Sequence, residues 1–299
     1  MSSVITAKEV AELRQRTGAG ITDCKNALVE ASGNMDKAVE ILRTKGIAKA
    51  EKRAGRVASE GRIANLVSPD GKTGVLLELN SETDFVARNE EFGEVAQALA
   101  RTLLADASID TAVANGGEGS LMERPVDGDA SGQTVAAAVK AASAKTGENV
   151  VLRRYARFTT DGTLGTYVHH NGRVAVMVDV RGATNQAATT VANQIAEHIA
   201  AGVPVVALAV SRSDVPADAV ERERRIFEEQ AKQSGKPENI IQKMVDGRVN
   251  KFFAEVALLE QPWVRDESRT IKQLLDEAGK QAGSPLSVQR FVRYRMGEE

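Results

Sequence analysis

The feature that most constrains this chain is a pattern of two strands and a helix that occurs twice. In each copy, two runs of alternating apolar residues flank a short turn, as in a β-hairpin, and a stretch with helical spacing of apolar residues follows. The first copy comprises 61–67, 74–80 and 91–104, and the second comprises 165–169, 173–180 and 185–201. We interpret this pattern as an internal duplication. Two copies favour an α+β core rather than a solenoid, which needs roughly three or more repeats.

The first 45 residues predict three short helices. Thr6 and Glu9 have the spacing of a capping box at the start of the first helix, and the glycines of 17–20 end it. The second helix is predicted at 23–31. The third begins near Met35 and is predicted to end at Lys45-Gly46, before a charged segment that we interpret as a helical or flexible linker. The sequence therefore predicts a small helical bundle with its linker over 1–56.

The segments between the two copies set the remaining boundaries. The Gly/Ala-rich stretch 114–132 predicts loops around a short helix, and 135–145 predicts a further helix. Residues 147–158 resemble an edge strand that leads into the second copy. We therefore predict one core subdomain at 57–146 and a second at 147–299.

Residues 216–258 predict two long, charged helices inserted in the second subdomain. Each helix has a narrow stripe of apolar residues, which is typical of an antiparallel coiled-coil hairpin. The first stripe contains Val220, Phe227 and Ala231, and the second contains Ile241, Val245, Val249, Phe252 and Val256. A helix at 270–278 and a strand at 287–295 are predicted to follow.

Charge and composition argue against several classes of protein. The formal net charge is −2, whereas a general nucleic-acid coat needs clustered positive charge. Residues 1–56 carry eleven Lys or Arg against seven Asp or Glu, an excess that also fits a solvated helical face. The single cysteine cannot form an intramolecular disulfide, and the sequence has neither a signal peptide nor an apolar run long enough to span a membrane. We expect a cytoplasmic protein without membrane association or strong nucleic-acid binding.

The sequence lacks the common motifs of enzymes. It has no phosphate-binding loop, dinucleotide fingerprint or zinc-protease motif, so we predict no catalytic residues and no cofactor. His169 and His170 are adjacent, but neighbours on a strand point to opposite faces, and we predict no metal site there. His198 is interpreted as a hydrogen-bonded histidine at the edge of the core, and Cys24 as a packing residue rather than a nucleophile.

The segment after the second strand of the first copy allows two interpretations. In the first, a Ser or Thr caps a helix, Asp84 lies in its first turn and Phe85 packs inward. In the second, Asp84 and Phe85 protrude together as an anion beside an apolar wedge. The residue pattern alone favours the first interpretation and leaves the second open.

Four motifs resemble those of the elongation factor Ts family and occur in the same order. They are LRQRTGAGITDCK at 13–25, ELNSETDFVA at 78–87, YVHHNGR at 167–173 and QSGKP at 233–237. Several ordered motifs that extend over most of a chain are far more specific than one short pattern. The resemblance implies a ubiquitin-associated-like bundle at the N-terminus, a duplicated α+β core and an inserted antiparallel coiled coil.

The resemblance also implies an activity that makes and breaks no bond. Members of the family act as guanine-nucleotide exchange factors, which release GDP from elongation factor Tu, a protein GTPase, without binding the nucleotide themselves. By resemblance, Thr83, Asp84, Phe85 and Val86 form the loop that disturbs the magnesium site of the partner.

Four further residues fall at positions where the family contacts its partner. By resemblance, Arg14, Ile21 and Thr22 meet the nucleotide-binding domain of elongation factor Tu. His169 falls where the second core copy contacts elongation factor Tu. Some members have Met at the positions of Ile21 and Thr22, so we expect this contact to differ in detail. We also expect no contact from the additional C-terminal helix of some members, because the sequence ends without it. The alternative to an exchange factor is a protein of another functional class, namely a general adaptor whose bundle and hairpin bind other proteins or RNA.

Overall fold

The computed structural model describes residues 5–109, 112–114, 121–233, 235 and 237–298. It shows a mixed α+β fold, as predicted. The chain divides into two compact units. The first contains Met1–Leu66, Val75–Arg157 and Met296–Glu299, and the second contains Val67–Gly74 and Phe158–Arg295. The domain boundaries proposed from the sequence remain predictions. No helix in the described ranges is long and apolar enough to cross a membrane.

Three helices open the first unit: α1 (Ala7–Thr17), α2 (Ile21–Glu30) and α3 (Met35–Glu51). The predicted capping box is confirmed, since the Thr6 side chain accepts from the Glu9 amide and the Glu9 carboxylate accepts from the Thr6 amide. The three helices share an apolar core made by Leu13, Cys24, Ala27, Leu28, Ala31 and Ala38. Cys24 is fully buried there, which confirms its packing role. The ubiquitin-associated likeness of this bundle stays a prediction.

A four-stranded sheet and three helices complete the first group of elements. The strands are β1 (Glu60–Val67), β2 (Thr73–Ser81), β3 (Ala112–Ala114) and β4 (Val151–Thr159), and the helices are α4 (Asp84–Arg88), α5 (Glu90–Ala105) and α6 (Val135–Thr146). The strand order is β1-β2-β4-β3. The prediction of an edge strand at 147–158 is therefore wrong, because β4 lies between β2 and β3. The helices α5 and α6 cover an apolar core that includes Leu77, Leu79, Leu99, Leu103 and Val135.

One prediction in this part of the chain is wrong, and a second falls partly outside the described residues. The third helix continues through Gly46 to Glu51 instead of ending at Gly46. A Cβ atom at Gly46 would lie 2.9 Å from the Ala144 Cβ of α6, so the glycine allows α3 to pack closely on α6 rather than breaking the helix. Part of the stretch 114–132 lies outside the described residues, and from Leu121 to Gly132 the described chain forms turns rather than a short helix.

The second unit repeats the order of hairpin and helix. Its elements are β5 (Thr163–Val168), β6 (Val174–Arg181), α7 (Gln186–Ala201), α8 (Ala217–Lys232), α9 (Glu238–Val256), β7 (Pro262–Trp263), β8 (Asp266–Thr270), α10 (Ile271–Ala282) and β9 (Ser287–Arg295). The strands β5, β6 and β9 form an antiparallel sheet in that order. The helices α7 and α10 pack on it through Val191, Ile195, Ile199, Ile271 and Leu275. The duplicated origin of the two units stays a prediction.

The helices α8 and α9 form the predicted antiparallel hairpin. Arg224 of α8 pairs with Asp246 of α9 at 3.1 Å. Val220 packs in a cluster with Phe253, and Ala231 packs in a cluster with Ile241. Because residue numbers rise along α8 as those of its neighbours fall along α9, the helices run in opposite directions. Ser234 and Lys236 of the connection lie outside the described residues.

Candidate functional site

The segment Thr83–Val86 leaves β2 and begins the short helix α4. Thr83 is the N-cap, and its side chain accepts a hydrogen bond from the Val86 amide at 3.4 Å. Asp84 lies in the first turn and pairs with Arg88 at 2.9 Å. A carboxylate at this position also interacts favourably with the helix dipole. This much of the first interpretation, a capped helix with an acidic first turn, is confirmed.

The position of Phe85 contradicts the rest of that interpretation. Its side chain is 82% exposed, although Val86 packs against the apolar core and Ala87 is buried. In a helix of five residues only one face can turn toward the core, and here Val86 and Ala87 occupy that face. The prediction that Phe85 packs inward is wrong. The structure combines the two interpretations, because a capped helix presents Phe85 to solvent beside the carboxylate of Asp84.

The N-terminal side of this segment is anchored by Glu148, which precedes β4. The Glu148 carboxylate accepts from the Glu82 amide at 3.0 Å, from the Thr83 amide at 3.0 Å and from the Thr83 hydroxyl at 2.6 Å. In return, the Glu82 carboxylate accepts from the Asn149 amide at 2.6 Å. Sequence reasoning missed this pair, because it interpreted Gly147-Glu148-Asn149 only as the start of a strand.

The C-terminal side is anchored by Arg62 of β1. Its Nε donates to the Ala87 carbonyl at 2.5 Å, and its Nη2 donates to the Arg88 carbonyl at 3.0 Å. These carbonyls end α4 and have no partner within the helix, so a cation is favourable there. Gly93 of α5 leaves room for the guanidinium, since a Cβ atom there would lie 2.5 Å from Nη1 of Arg62. No local sequence pattern indicates this long-range contact.

Arg14 and Ile21 lie close together in the helical bundle. Both line an open groove between α1 and α2, together with Ile5, Val10 and Lys25. Ile21 begins α2 and is 58% exposed. Thr22 is also exposed but does not line the groove. Of the three bundle residues identified by the resemblance, Arg14 and Ile21 therefore line the same groove, and Thr22 follows Ile21 in the sequence.

His169 belongs to the second unit and follows the end of β5. Its ring Nδ1 lies 3.1 Å from the Tyr167 hydroxyl, and its ring centroid lies 4.2 Å from that of His170. The prediction that the two histidines point to opposite faces of a strand is wrong, because the strand ends at Val168 and a turn brings the rings together. Within the described ranges, no cluster of three His, Cys, Asp or Glu residues could hold a metal ion.

The interpretation of His198 is confirmed. The side chain is buried in α7, its Nε2 lies 3.0 Å from Oε1 of Gln261, and its Nδ1 accepts from the Val264 amide at 3.2 Å. Because the amide can only donate, Nδ1 is unprotonated and Nε2 carries the hydrogen given to Gln261. Burial lowers the pKa of His198 below its ordinary value, although the bond to Gln261 opposes that shift.

Comparison with known proteins assigns the family. The profile of the family described as Elongation factor TS matches residues 82–298. The chain belongs to the elongation factor Ts family. Its relatives include Elongation factor Ts of Clostridium botulinum (strain Alaska E43 / Type E3), 44% identical over 297 residues that cover 99% of this chain and 94% of the relative. Elongation factor Ts of Aquifex aeolicus is 43% identical over 298 residues, which cover 99% of both chains. Membership places the chain among the translation elongation factors.

Proposed function

We propose that this chain is a guanine-nucleotide exchange factor that releases GDP from elongation factor Tu so that GTP can bind. Membership of the elongation factor Ts family supports the proposal. The observation that carries it is the exposed Phe85 on a helix held at both ends. Single exposed apolar residues are common on protein surfaces, so the weight of this observation comes from the place of Phe85 within the ELNSETDFVA motif that resembles the family. In this role the chain acts in the cytoplasm and is not an enzyme, because it makes and breaks no bond.

In the proposed mechanism, Thr83–Val86 disturbs the magnesium site of the partner. Phe85 enters the partner as an apolar wedge, and Asp84 brings a negative charge near the bound cation. A second contact involves the bundle, where Arg14, Ile21 and Thr22 meet the nucleotide-binding domain. His169 supplies a third contact from the second unit.

Energies limit what the segment can do alone. A nucleotide held with nanomolar affinity is bound by about 12 kcal/mol. Burial of one Phe side chain supplies roughly 1.5–3 kcal/mol, which corresponds to about a ten- to hundredfold change in an equilibrium constant. Phe85 therefore acts as a trigger, and the bundle and the second unit provide the remaining binding energy. Because coupling is reciprocal, GDP weakens binding of this chain by the same factor by which the chain weakens binding of GDP.

The test is the rate of GDP release from purified elongation factor Tu, with and without the chain. The parent is expected to accelerate release strongly, and Asp84→Ala and Phe85→Ala are expected to do so less. Phe291→Leu changes a residue of β9 that is not among the proposed contacts, and this control is expected to retain the parent rate. If the parent does not accelerate release, the proposed function is wrong. If the parent does and both loop variants match it, only the assignment of Thr83–Val86 is wrong.

A further inference from the structure

Two segments that flank neighbouring strands of the first sheet exchange hydrogen bonds in both directions. Residues 82–83 follow β2, and residues 148–149 precede β4, which lies beside β2. Glu148 accepts the two amide hydrogens of Glu82 and Thr83, and Glu82 accepts the amide hydrogen of Asn149. Each carboxylate thus holds the backbone of the other segment. Hydrogen bonds to an ionised acceptor are stronger than neutral ones, so the exchange fixes the start of α4.

The same carboxylate controls the cap of α4. The Thr83 hydroxyl donates to Glu148 at 2.6 Å and accepts from the Val86 amide at 3.4 Å. With its hydrogen directed at Glu148, the hydroxyl presents a lone pair to the helix. Glu148 therefore sets the orientation of the group that holds the first turn, which is the turn that carries Asp84 and Phe85.

Asn149 fastens this arrangement to the chain that leaves the helical bundle. Its Nδ2 donates to the Arg56 carbonyl at 2.7 Å and to the Ala54 carbonyl at 3.4 Å. The Arg56 guanidinium also pairs with Glu82 at 3.5 Å. The side chain of Asn149 is buried. Three separate segments of the first unit, at 54–56, 82–83 and 148–149, are therefore joined by one polar network.

We propose that Glu148 is a positioning residue for nucleotide exchange, acting through Thr83 on Phe85. The inference rests on the proposed function and names a residue that is not among the proposed contacts with the partner. Phe85 is exposed and makes no core contact that could hold it, so its place in space depends on the backbone beneath it. A side chain placed before binding loses less conformational freedom when the complex forms. Glu148 supplies that placement from another segment of the chain.

The test is a double-mutant cycle on GDP release at saturating concentrations of the exchange factor. The variants are Glu148→Ala, Phe85→Ala and both together, and Glu197→Ala in α7 is the matched control for loss of a paired surface carboxylate. Glu148→Ala is expected to slow release about tenfold. This is the rate change that corresponds to loss of one hydrogen bond to a charged group. In the Phe85→Ala background the same change is expected to have a clearly smaller effect, because Asp84 is then the only one of the two side chains that Glu148 still positions.

A conservative variant separates positioning from general stability. The carbonyl oxygen of a glutamine can accept both amide hydrogens, and its NH2 group can donate to the Thr83 hydroxyl, which keeps a second lone pair for the Val86 amide. Glu148→Gln is therefore expected to release GDP within about threefold of the parent rate. If Glu148→Ala does not fold, Thr83→Val takes its place in the cycle, because it removes the hydroxyl that links Glu148 to α4.

Two results would overturn the positioning role while leaving the proposed function intact. The first is that Glu148→Ala slows GDP release by the same factor in the Phe85→Ala background as in the parent. The second is that Glu148→Gln releases GDP as slowly as Glu148→Ala. Equal saturated rates for the parent and Glu148→Ala would overturn it as well. Failure of the proposed function is distinguishable, because the parent itself would then not accelerate release.

Discussion

The two units share a hairpin followed by a helix, but they connect the two in different ways. In the first unit β2 ends at Ser81 and α5 begins at Glu90, whereas in the second β6 ends at Arg181 and α7 begins at Gln186. The helices α5 and α7 each have 16 residues and an Asn N-cap. The longer connection of the first unit contains α4 and the exposed Phe85, and the shorter one passes through Gly182 directly into the cap. The second unit thus shows that a hairpin and helix of this kind can pack without an intervening helix.

The largest expected difference in stability is between substitutions of two phenylalanines of the first unit. Phe92 of α5 is 2% exposed and belongs to the core, whereas Phe85 of α4 is 82% exposed. Phe92→Ala is expected to lower the free energy of unfolding by about 3–5 kcal/mol, and Phe85→Ala to change it by less than about 0.5 kcal/mol. Urea unfolding followed by circular dichroism measures both. A loss above about 1 kcal/mol for Phe85→Ala would show that the Phe85 side chain packs in the core.

The tight connection of the second unit is expected to tolerate no side chain at Gly182. Its φ is 116°, and a Cβ atom would lie 2.0 Å from the Pro285 carbonyl oxygen. Gly182→Ala is expected to lower the free energy of unfolding by about 2–4 kcal/mol through strain and steric overlap. Fluorescence of Trp263, the single tryptophan of the sequence and a buried residue of the second unit, reports this change.

A helical glycine provides the control for that substitution. Gly247 of α9 has open space where a Cβ atom would lie, so Gly247→Ala is expected to leave stability unchanged or to raise it slightly. If Gly182→Ala changed the free energy of unfolding as little as Gly247→Ala, the claim that the connection at Gly182 has no room for a Cβ atom would be wrong.

The two Asn caps are expected to differ by one hydrogen bond. The Asn89 side chain accepts from the amides of Glu91 and Phe92, and the Asn185 side chain accepts from the Ala188 amide. The Asn185 Nδ2 also donates to the Ala282 carbonyl at 2.9 Å. Loss of the cap is expected to lower the free energy of unfolding by about 1 kcal/mol in each case, and Asn185→Ala is expected to lose about 1 kcal/mol more with the bond to Ala282. Circular dichroism for Asn89→Ala and Trp263 fluorescence for Asn185→Ala measure the two losses, and a larger loss for Asn89→Ala would break the parallel between the units.

The smallest expected difference is in the response to pH. All three histidines of the sequence lie in the second unit, and burial lowers the pKa of His198 below 6.5. Well above pH 6.5 His198 is neutral both folded and unfolded, so its stabilising hydrogen bonds are fully present. As the pH falls below 6.5 the unfolded chain takes up a proton first, and stability decreases.

The matched variant for this prediction is His198→Gln, which does not titrate. The free energy of unfolding of the parent, followed by Trp263 fluorescence, is expected to fall more steeply than that of His198→Gln between pH 7.5 and 5.5. Parallel pH profiles would mean that His198 takes up its proton equally in the folded and unfolded states.

Periodicity and capping rules predicted most of the elements, because these signals are local. The Thr6–Glu9 capping box and the strand at 287–295 are found where the sequence predicts them. Errors arose where distant parts of the chain decide the outcome. Gly46 continues a helix because α6 packs on it, and the place of β4 within the sheet depends on pairing with strands far along the sequence.

The candidate site shows the same limit. Motifs identified Thr83–Val86, and capping rules predicted the start of α4. The direction of Phe85 depends on Val86 and Ala87 meeting the core, and its support depends on Glu148, which lies 66 residues from Glu82 and 65 from Thr83. No pattern within the segment contains that information. The resemblance to elongation factor Ts indicated protrusion, and the structure supplied its physical basis.

The most direct test of the account is the dependence of GDP release from elongation factor Tu on the concentration of Phe85→Ala. This variant is expected to fold as the parent does, to saturate, and to reach a maximum rate about ten- to hundredfold lower, in line with loss of one buried Phe side chain. That result would place the exposed side chain in the release step. An unchanged maximum rate, with or without weaker binding, would contradict the claim that Phe85 triggers exchange.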